Sequence, residues 1–298
     1  AFMYFEYFFY ISIILIFFIF LNKKLKKYIK IYNKNGFDGL WFYFYNKNIR
    51  KTGFNNFIDK KKNIIGKKIE KLSKNKILYG SYSGTKITSS FEWSKTDLSA
   101  KYLGTYESQV QEKIIFLSKK FKLKNLIDLG AAEGYHIVSL LNKGFFSKGI
   151  AYEINQKSRE YLKKNAIANN LLKKLVIYKE ASYETLKKNL GEINQKKTLF
   201  LIDIEGNEFY LFNDKFCNFF SKCFFIIECH EFNIKNKRII KNFYNSIKKR
   251  FKIEIIKDIS KDPFNFDILD NFSDDEKYLM MSEGRPKKMQ WVVLYPKY

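Results

Sequence analysis

Apolar residues in this chain fall into short runs bounded by turn residues, and between those runs they recur at helical spacing. Seven runs stand out: LIDL (126–129), GIAYEI (149–154), LVIY (175–178), TLFLIDI (198–204), CFFIIEC (223–229), IEII (253–256) and WVVLY (291–295). Runs of this length, apolar at successive positions rather than alternating, are the pattern of strands buried on both faces. Val110, Ile114, Ile115 and Leu117 predict a helix over 108–121, Tyr135 to Leu141 a second, a stretch ending near Ala168 a third, and Ile239, Ile240, Phe243 and Ile247 another. Strand and helix alternating in this way predict an α/β fold of the Rossmann-like, doubly wound kind. Its seven-stranded sheet is mostly parallel, with helices on both faces and a hairpin-like antiparallel pair formed by the last two strands.

A different pattern opens the chain. From Tyr7 to Leu21 no residue is charged, and extending back to Ala1 adds only Glu6, which gives about the 20 residues needed to cross a bilayer core. The expectation is an N-terminal transmembrane helix over 1–21. Lys23, Lys24, Lys26, Lys27 and Lys30 follow at once, and the positive-inside rule then expects a single-pass membrane protein with its folded domain on the cytoplasmic side. A signal peptide fits less well, because a basic leading region and a small-residue cleavage site are both missing. Residues 22–100 read as a basic and aromatic juxtamembrane and connecting segment, turn-rich at Gly80, Ser81, Ser83, Gly84, Ser89 and Ser90. Residues 101–298 read as the folded domain.

Composition changes this picture only in part. A net charge of +25 invites a nucleic-acid partner, but residues 22 to 77 alone hold 17 Lys/Arg against 3 Asp/Glu, so more than half the excess is juxtamembrane. Nucleic acid is therefore not the expected partner. Cys217, Cys223 and Cys229 form no CxxC pair, which suggests neither a disulfide framework nor a zinc site.

The chemistry sits where the strands end, since ligands of open α/β sheets bind at the carboxyl ends near the reversal of strand order. After the first run comes Asp128-Leu-Gly130-Ala131-Ala132-Glu133-Gly134. Gly130 permits the tight turn and Gly134 lets the next helix approach, but Ala132 replaces the middle glycine of a dinucleotide-binding G-x-G-x-x-G. The turn suits a ligand without a pyrophosphate. Glu153, at the end of the second run, lies 23 residues beyond Gly130, where an acid that binds both hydroxyls of a ribose is expected.

LIDLGAAEGYHIVSLL resembles motif I of class I S-adenosylmethionine (SAM)-dependent methyltransferases. LIDIEGNEFYLF (201–212) resembles the D-x-E-G-x-E signature of the FkbM family of O-methyltransferases, and IIECHEF (226–232) is similar to that family's fifth-strand end. The resemblance covers roughly residues 100 to 232. It implies a SAM-dependent methyltransferase in which Asp128, Gly130, Ala131, Ala132, Glu133, Gly134 and Tyr135 line the methionine half of the cofactor. Glu153 with Ile154 would bind the ribose, and Glu180 with Ala181 would edge the adenine. Tyr106 and Glu107, in LGTYE, would close over the ligand, and Asp203 would lie near the amino group or the transferred methyl. His136 departs from the family pattern and is expected to be structural.

For an alcohol acceptor a base must take the proton as the new bond forms. Asp203 and His230 are the candidate catalytic residues, with a capping or packing role the alternative for His230. Asp203, Glu205, Glu228 and His230 together could suit a hard divalent ion. No metal is expected, because neighbouring residues on a strand face opposite sides and cannot all converge. Arg285, Lys287 and Lys288 form either a solvated basic loop or a site for an anionic acceptor. The expected function is O-methylation of a hydroxyl on a sugar, glycolipid or related small acceptor, with a membrane and a lipid-linked glycan as expected partners. The alternatives are a nucleic-acid methyltransferase, disfavoured because no N/D-P-P-Y/F loop follows the fourth strand, and a non-catalytic membrane scaffold with the same fold.

Overall fold

The computed structural model describes residues 26–30, 33, 36, 54–88, 96–257, 259–285 and 289–297. It divides into two compact units, residues 1–60 and 61–298. In the first, the described residues are helical. The second holds the sheet and everything that follows.

All seven apolar runs form strands: β1 (Asn125–Leu129), β2 (Lys148–Tyr152), β3 (Leu175–Tyr178), β4 (Thr198–Ile202), β5 (Phe224–Cys229), β6 (Phe251–Ile256) and β7 (Gln290–Pro296). Their order across the sheet is β3-β2-β1-β4-β5-β7-β6. The first five pair in parallel, and β7 runs antiparallel to both neighbours. The sheet therefore matches expectation except at its edge. β7 inserts between β5 and β6, and the two last strands are joined through a helix, α10 below, instead of a tight turn. Trp291 consequently stands beside Glu228 on one side and Ile256 on the other, which brings β7 to the strand end that carries the chemistry.

Two apolar layers cover the sheet, as the doubly buried runs require. One face packs under α1 (Phe54–Ser73, from residue 61 on), α2 (Leu98–Leu103), α3 (Ser108–Lys120), α4 (Tyr135–Asn142) and α5 (Gln156–Ala168). The other packs under α6 (Tyr183–Leu190), α7 (Glu208–Leu211), α8 (Asp214–Phe219) and α9 (Lys237–Arg250), around Phe200, Phe212, Phe216, Phe225 and Phe243. Ile65, Ile69, Ile77, Tyr82 and Ile87 belong to the first layer, so residues 61–88 contribute to this core. α10 (Asp274–Met281) starts at a capping box in which Ser273 and Glu276 satisfy each other's backbone donors.

The expected transmembrane helix and the single-pass, cytoplasm-facing location need correction. Among the described residues no helix is long and apolar enough to cross a membrane. The apolar run over 1–21, with Lys23 and Lys24, lies outside the described residues, as do Ser89, Ser90, Lys287 and Lys288.

Candidate active site

Strand order reverses at β1, flanked by β2 and β4, and the candidate site occupies the carboxyl ends of these strands and of β5. The turn after β1 is tightly built. Gly130 has φ +84°, a left-handed conformation, and a Cβ there would come within 1.8 Å of the Asp203 carbonyl oxygen. Gly134 has φ +86°, and a Cβ would meet Leu162 Cδ1 of α5 at 2.3 Å, so α4 and α5 approach as closely as a glycine allows. Glu153, buried at the end of β2, accepts from the Ala132 amide (2.8 Å) and the Asn155 amide (2.7 Å). Its carboxylate thus orders both the β1 turn and the entry to α5. Ile154 beside it is 70% exposed, an apolar side chain on the open rim.

Behind the turn lie buried charges. Lys101 on α2 donates to Glu133 Oε1 (2.5 Å) and lies 3.4 Å from Asp97 Oδ2, all three nearly inaccessible. Burial opposes the Lys101 charge, but the two carboxylates outweigh it and raise its pKa. Asp97 is pushed up to about 6 by burial, against the pull of Lys101. Asp128, on β1 itself, is raised well above the usual carboxylate range by burial, then by the nearby Asp203 and Glu153 charges.

Glu107 closes the site from the other side. It adopts a left-handed backbone conformation (φ 48°) and is buried. Its Oε2 pairs with His136 Nε2 at 2.9 Å, its Oε1 accepts from Arg285, and its amide donates to Glu283 Oε1 at 2.9 Å. Burial pushes the Glu107 pKa up, yet the His136 bond and the Arg285 charge win and hold it at about 2. Arg285 also donates to Glu228 and Glu283, and Lys261 to Glu283. The far side of His136, Nδ1, meets the buried Tyr82 hydroxyl at 3.0 Å.

The ends of β4 and β5 meet at His230. Its amide donates to Glu208 Oε1 (2.7 Å), and its Nδ1 lies 3.3 Å from the same oxygen. Nε2 faces Asp203, Glu205 and Glu228 at 3.5–3.6 Å. Desolvation disfavours the imidazolium, but Glu208 and then Asp203 outweigh it, so the His230 pKa is raised. Asp203 is pushed up to about 7 by burial and then by Glu107, and its Oδ1 has no hydrogen-bond partner. Asp203, Glu228 and His230 can offer ligand atoms within 4.8 Å of one another. Convergence is possible because Glu228, near the end of β5, and His230, just beyond it, meet Asp203 from the end of β4, although neighbouring positions along one strand face opposite sides.

A cavity of about 50 Å³ joins these parts, lined by Tyr106, Glu107, Asp128, Gly130, Ala131, Ala132, Glu133, Tyr135, Asp203 and also by Lys101, His136, Leu201 and Trp291. Nine of the expected site residues are therefore gathered in one place. Gly134 and Glu153 act just outside it through the backbone and the turn. Glu180 is exposed and Ala181 half-buried on the rim beyond β3, with the Glu180 carbonyl accepting from Thr185. Lys101, Asp97, Glu208, Glu283 and Trp291 were not singled out from sequence, and His136 was read as structural. Only Glu208 carried a signal, as the last acid of the quoted D-x-E-G-x-E pattern.

No family model matches the chain, and no curated protein does. Several solved structures do, and three illustrate them. An O-methyltransferase from Bacillus cereus in complex with SAH has 13% identity and a TM-score of 0.44, over 63% of this chain and 80% of that one. The METTL16 methyltransferase domain has 14% identity and a TM-score of 0.46, over 72% and 74%. Precorrin-6y C5,15-methyltransferase from Geobacter metallireducens has 8% identity and a TM-score of 0.42, over 71% and 93%. Likeness this distant leaves function to be argued from the site's own residues.

Proposed function

We propose that the chain is a SAM-dependent methyltransferase of the FkbM kind that methylates a hydroxyl of a small acceptor such as a sugar. The observation that carries this reading is the buried Glu153 carboxylate bonded to the Gly130 turn at the Ala132 amide, with that turn in close approach to Asp203 at the end of β4. That arrangement suits a nucleoside ligand whose other end is cationic. Glu153 retains lone pairs for ribose hydroxyls, exposed Ile154 offers an apolar surface to a base, and at the enclosed end Glu107 supplies negative charge with the Asp128 and Asp203 carboxyl groups beside it. Glu180 and Ala181 would edge the base from the rim. The enclosed space, about 50 Å³, is too small for a whole molecule of this kind, so binding would require its lining to open.

Bound SAM would supply an electrophilic methyl group on a sulfonium. The chain's part is to hold the acceptor oxygen in line with that methyl and to take its proton. Asp203, with its pKa near 7 and an unpartnered oxygen, accepts the hydroxyl proton. With that proton removed, the acceptor oxygen would take the methyl group, and the electron pair of the carbon–sulfur bond would stay with the cofactor's sulfur. His230 is the positive charge that steadies Asp203 rather than the base itself, because its surrounding carboxylates favour imidazolium. The carboxylates Asp203, Glu205, Glu208 and Glu228 would repel a phosphate backbone, which favours a small acceptor over nucleic acid.

The test is transfer of labelled methyl from SAM to polyhydroxylated small molecules and, in parallel, to RNA. Label in a hydroxyl acceptor, reduced by about a hundredfold or more in Asp203→Asn, is expected. Label in RNA, or an undiminished Asp203→Asn variant, would contradict the reading.

A further inference from the structure

The imidazole of His230 faces three carboxylates. Its Nε2 lies 3.6 Å from Asp203 Oδ1, 3.5 Å from Glu205 Oε2 and 3.6 Å from Glu228 Oε2, too far for good hydrogen bonds. The spacing suits ligands of one ion: donors about 2.0–2.5 Å from a divalent ion stand roughly 3–3.5 Å from their neighbours. One ion can reach Asp203, Glu228 and His230 together, because their donor atoms all lie within 4.8 Å of one another.

Two further observations point to a ligand. Asp203 Oδ1 is buried and has no hydrogen-bond partner. The His230 side chain is only 3% exposed, and it is held by its other nitrogen. Glu208, fully buried, accepts from the Gly206 amide through Oε2 (2.8 Å) and from the His230 amide through Oε1 (2.7 Å). Pinned in this way, its Oε1 stands 3.3 Å from His230 Nδ1 and accepts the hydrogen bond of that nitrogen. A neutral ring protonated on Nδ1 carries its lone pair on Nε2, facing the acids. A carboxylate placed behind a histidine is the arrangement that aims a histidine ligand at a metal. Arg285 engages Glu228 through Oε1, which leaves Oε2 for the ion. The Asp203 and Glu205 side chains are 35% and 61% exposed, so an ion can enter from solvent.

We propose that the ends of β4 and β5 form a binding site for a divalent transition-metal ion, with Asp203, Glu228 and His230 as ligands, Glu205 closing the outer side and Glu208 orienting the histidine. One imidazole among carboxylates favours manganese or iron over magnesium and calcium, which prefer oxygen throughout. The ion replaces the proton that otherwise makes His230 a positive charge beside Asp203. Asp203 binds it through Oδ1 and keeps its second oxygen for the acceptor's proton, while the charge of the ion eases loss of that proton from a nearby hydroxyl. This last consequence rests on the methyltransferase reading; binding of the ion does not.

The experiment is calorimetric titration of the full chain, stripped of metal by a chelator, with manganese(II), magnesium(II) and calcium(II) chlorides. S-adenosylhomocysteine binding is measured separately on the same samples. One manganese ion per chain, bound in the micromolar range and more tightly than magnesium or calcium, is expected, and electron spin echo spectra of the loaded chain should show nitrogen coupling from an imidazole. His230→Gln should lose that coupling and raise the manganese Kd about tenfold to a hundredfold. Glu205→Gln, at a position too exposed to endanger folding, should raise it about threefold to tenfold. No saturable manganese binding, tighter magnesium or calcium, bound manganese without nitrogen coupling, or an affinity unchanged in either variant would overturn the assignment. S-adenosylhomocysteine bound without manganese removes the metal site alone. Manganese bound without S-adenosylhomocysteine removes the methyltransferase reading instead.

Discussion

Replacing Gly130 by alanine perturbs the hinge of the whole arrangement, and the structure gives the size of the effect. At φ +84° an alanine costs about 1–2 kcal/mol in backbone conformation alone. Its Cβ would lie 1.8 Å from the Asp203 carbonyl oxygen and 2.9 Å from the carbonyl carbon, and both are backbone atoms at the end of β4. Because an ordinary carbon–oxygen contact is about 3.3 Å or more, the exits of β1 and β4 must part by roughly 1.5 Å, and overpacking of this kind adds about 1–3 kcal/mol. The expected loss is about 2–5 kcal/mol, with Asp203 displaced from Gly130 as the turn opens. Gly149→Ala is the internal control. On β2 the added Cβ meets only side-chain ends, Leu141 Cδ1 at 2.7 Å and Ile137 Cδ1 at 3.1 Å, with no left-handed backbone to strain. Urea unfolding of both variants reads the difference as a shift in midpoint. A Gly130→Ala variant no less stable than Gly149→Ala, and unchanged in cofactor binding, would refute the close approach of the two strand ends.

Three further outcomes follow from the buried charges. Glu153→Gln leaves one of the Ala132 and Asn155 amides facing an NH2 donor and the other with only a neutral acceptor; about 1–3 kcal/mol of stability should be lost in urea titration, and wild-type stability would count against its ordering role. Lys101→Met strands Asp97 and Glu133 together and should cost about 3–5 kcal/mol at pH 8. Against burial, Lys101 holds the Asp97 pKa down to about 6, so without it that carboxyl takes up its proton at higher pH, and the loss should shrink as pH falls from 8 toward 6; an equal loss at pH 5 and pH 8 would sink the argument. Asp203, raised to about 7, is the proton acceptor only when ionised, so kcat/KM should climb as pH rises toward 7 and level off above it. A pH–rate profile that falls over this range would show that another group takes the proton.

Much of this was legible in the sequence because each apolar run is continuous enough to be buried on two faces, so all seven strands were found. The antiparallel β6–β7 pair was expected and is present, but the place of β7 between β5 and β6 was not, since that order is set by long-range pairing that no local pattern records. Residues 61–88 mix Lys and Asn with isolated Ile and Tyr, and the positions that reach the core, Ile65, Ile69, Ile77, Tyr82 and Ile87, show their period only once the helix bounds are known. At the site, glycines and acids at strand ends were readable because backbone geometry demands them. Lys101 was not: a lysine is normally exposed, and only the placement of Asp97 and Glu133 around it lets it be buried. His136 was read as packing because its partners, Tyr82 and Glu107, lie 54 and 29 residues away in the chain.

The central claim is that the Gly130 turn and Glu153 form a cofactor site. Calorimetric titration of the full chain with S-adenosylhomocysteine, beside Glu153→Ala and Asp128→Ala, tests it most directly. Binding in the micromolar range that is lost in both folded variants is the predicted result; a folded wild-type chain that binds no S-adenosylhomocysteine would contradict it.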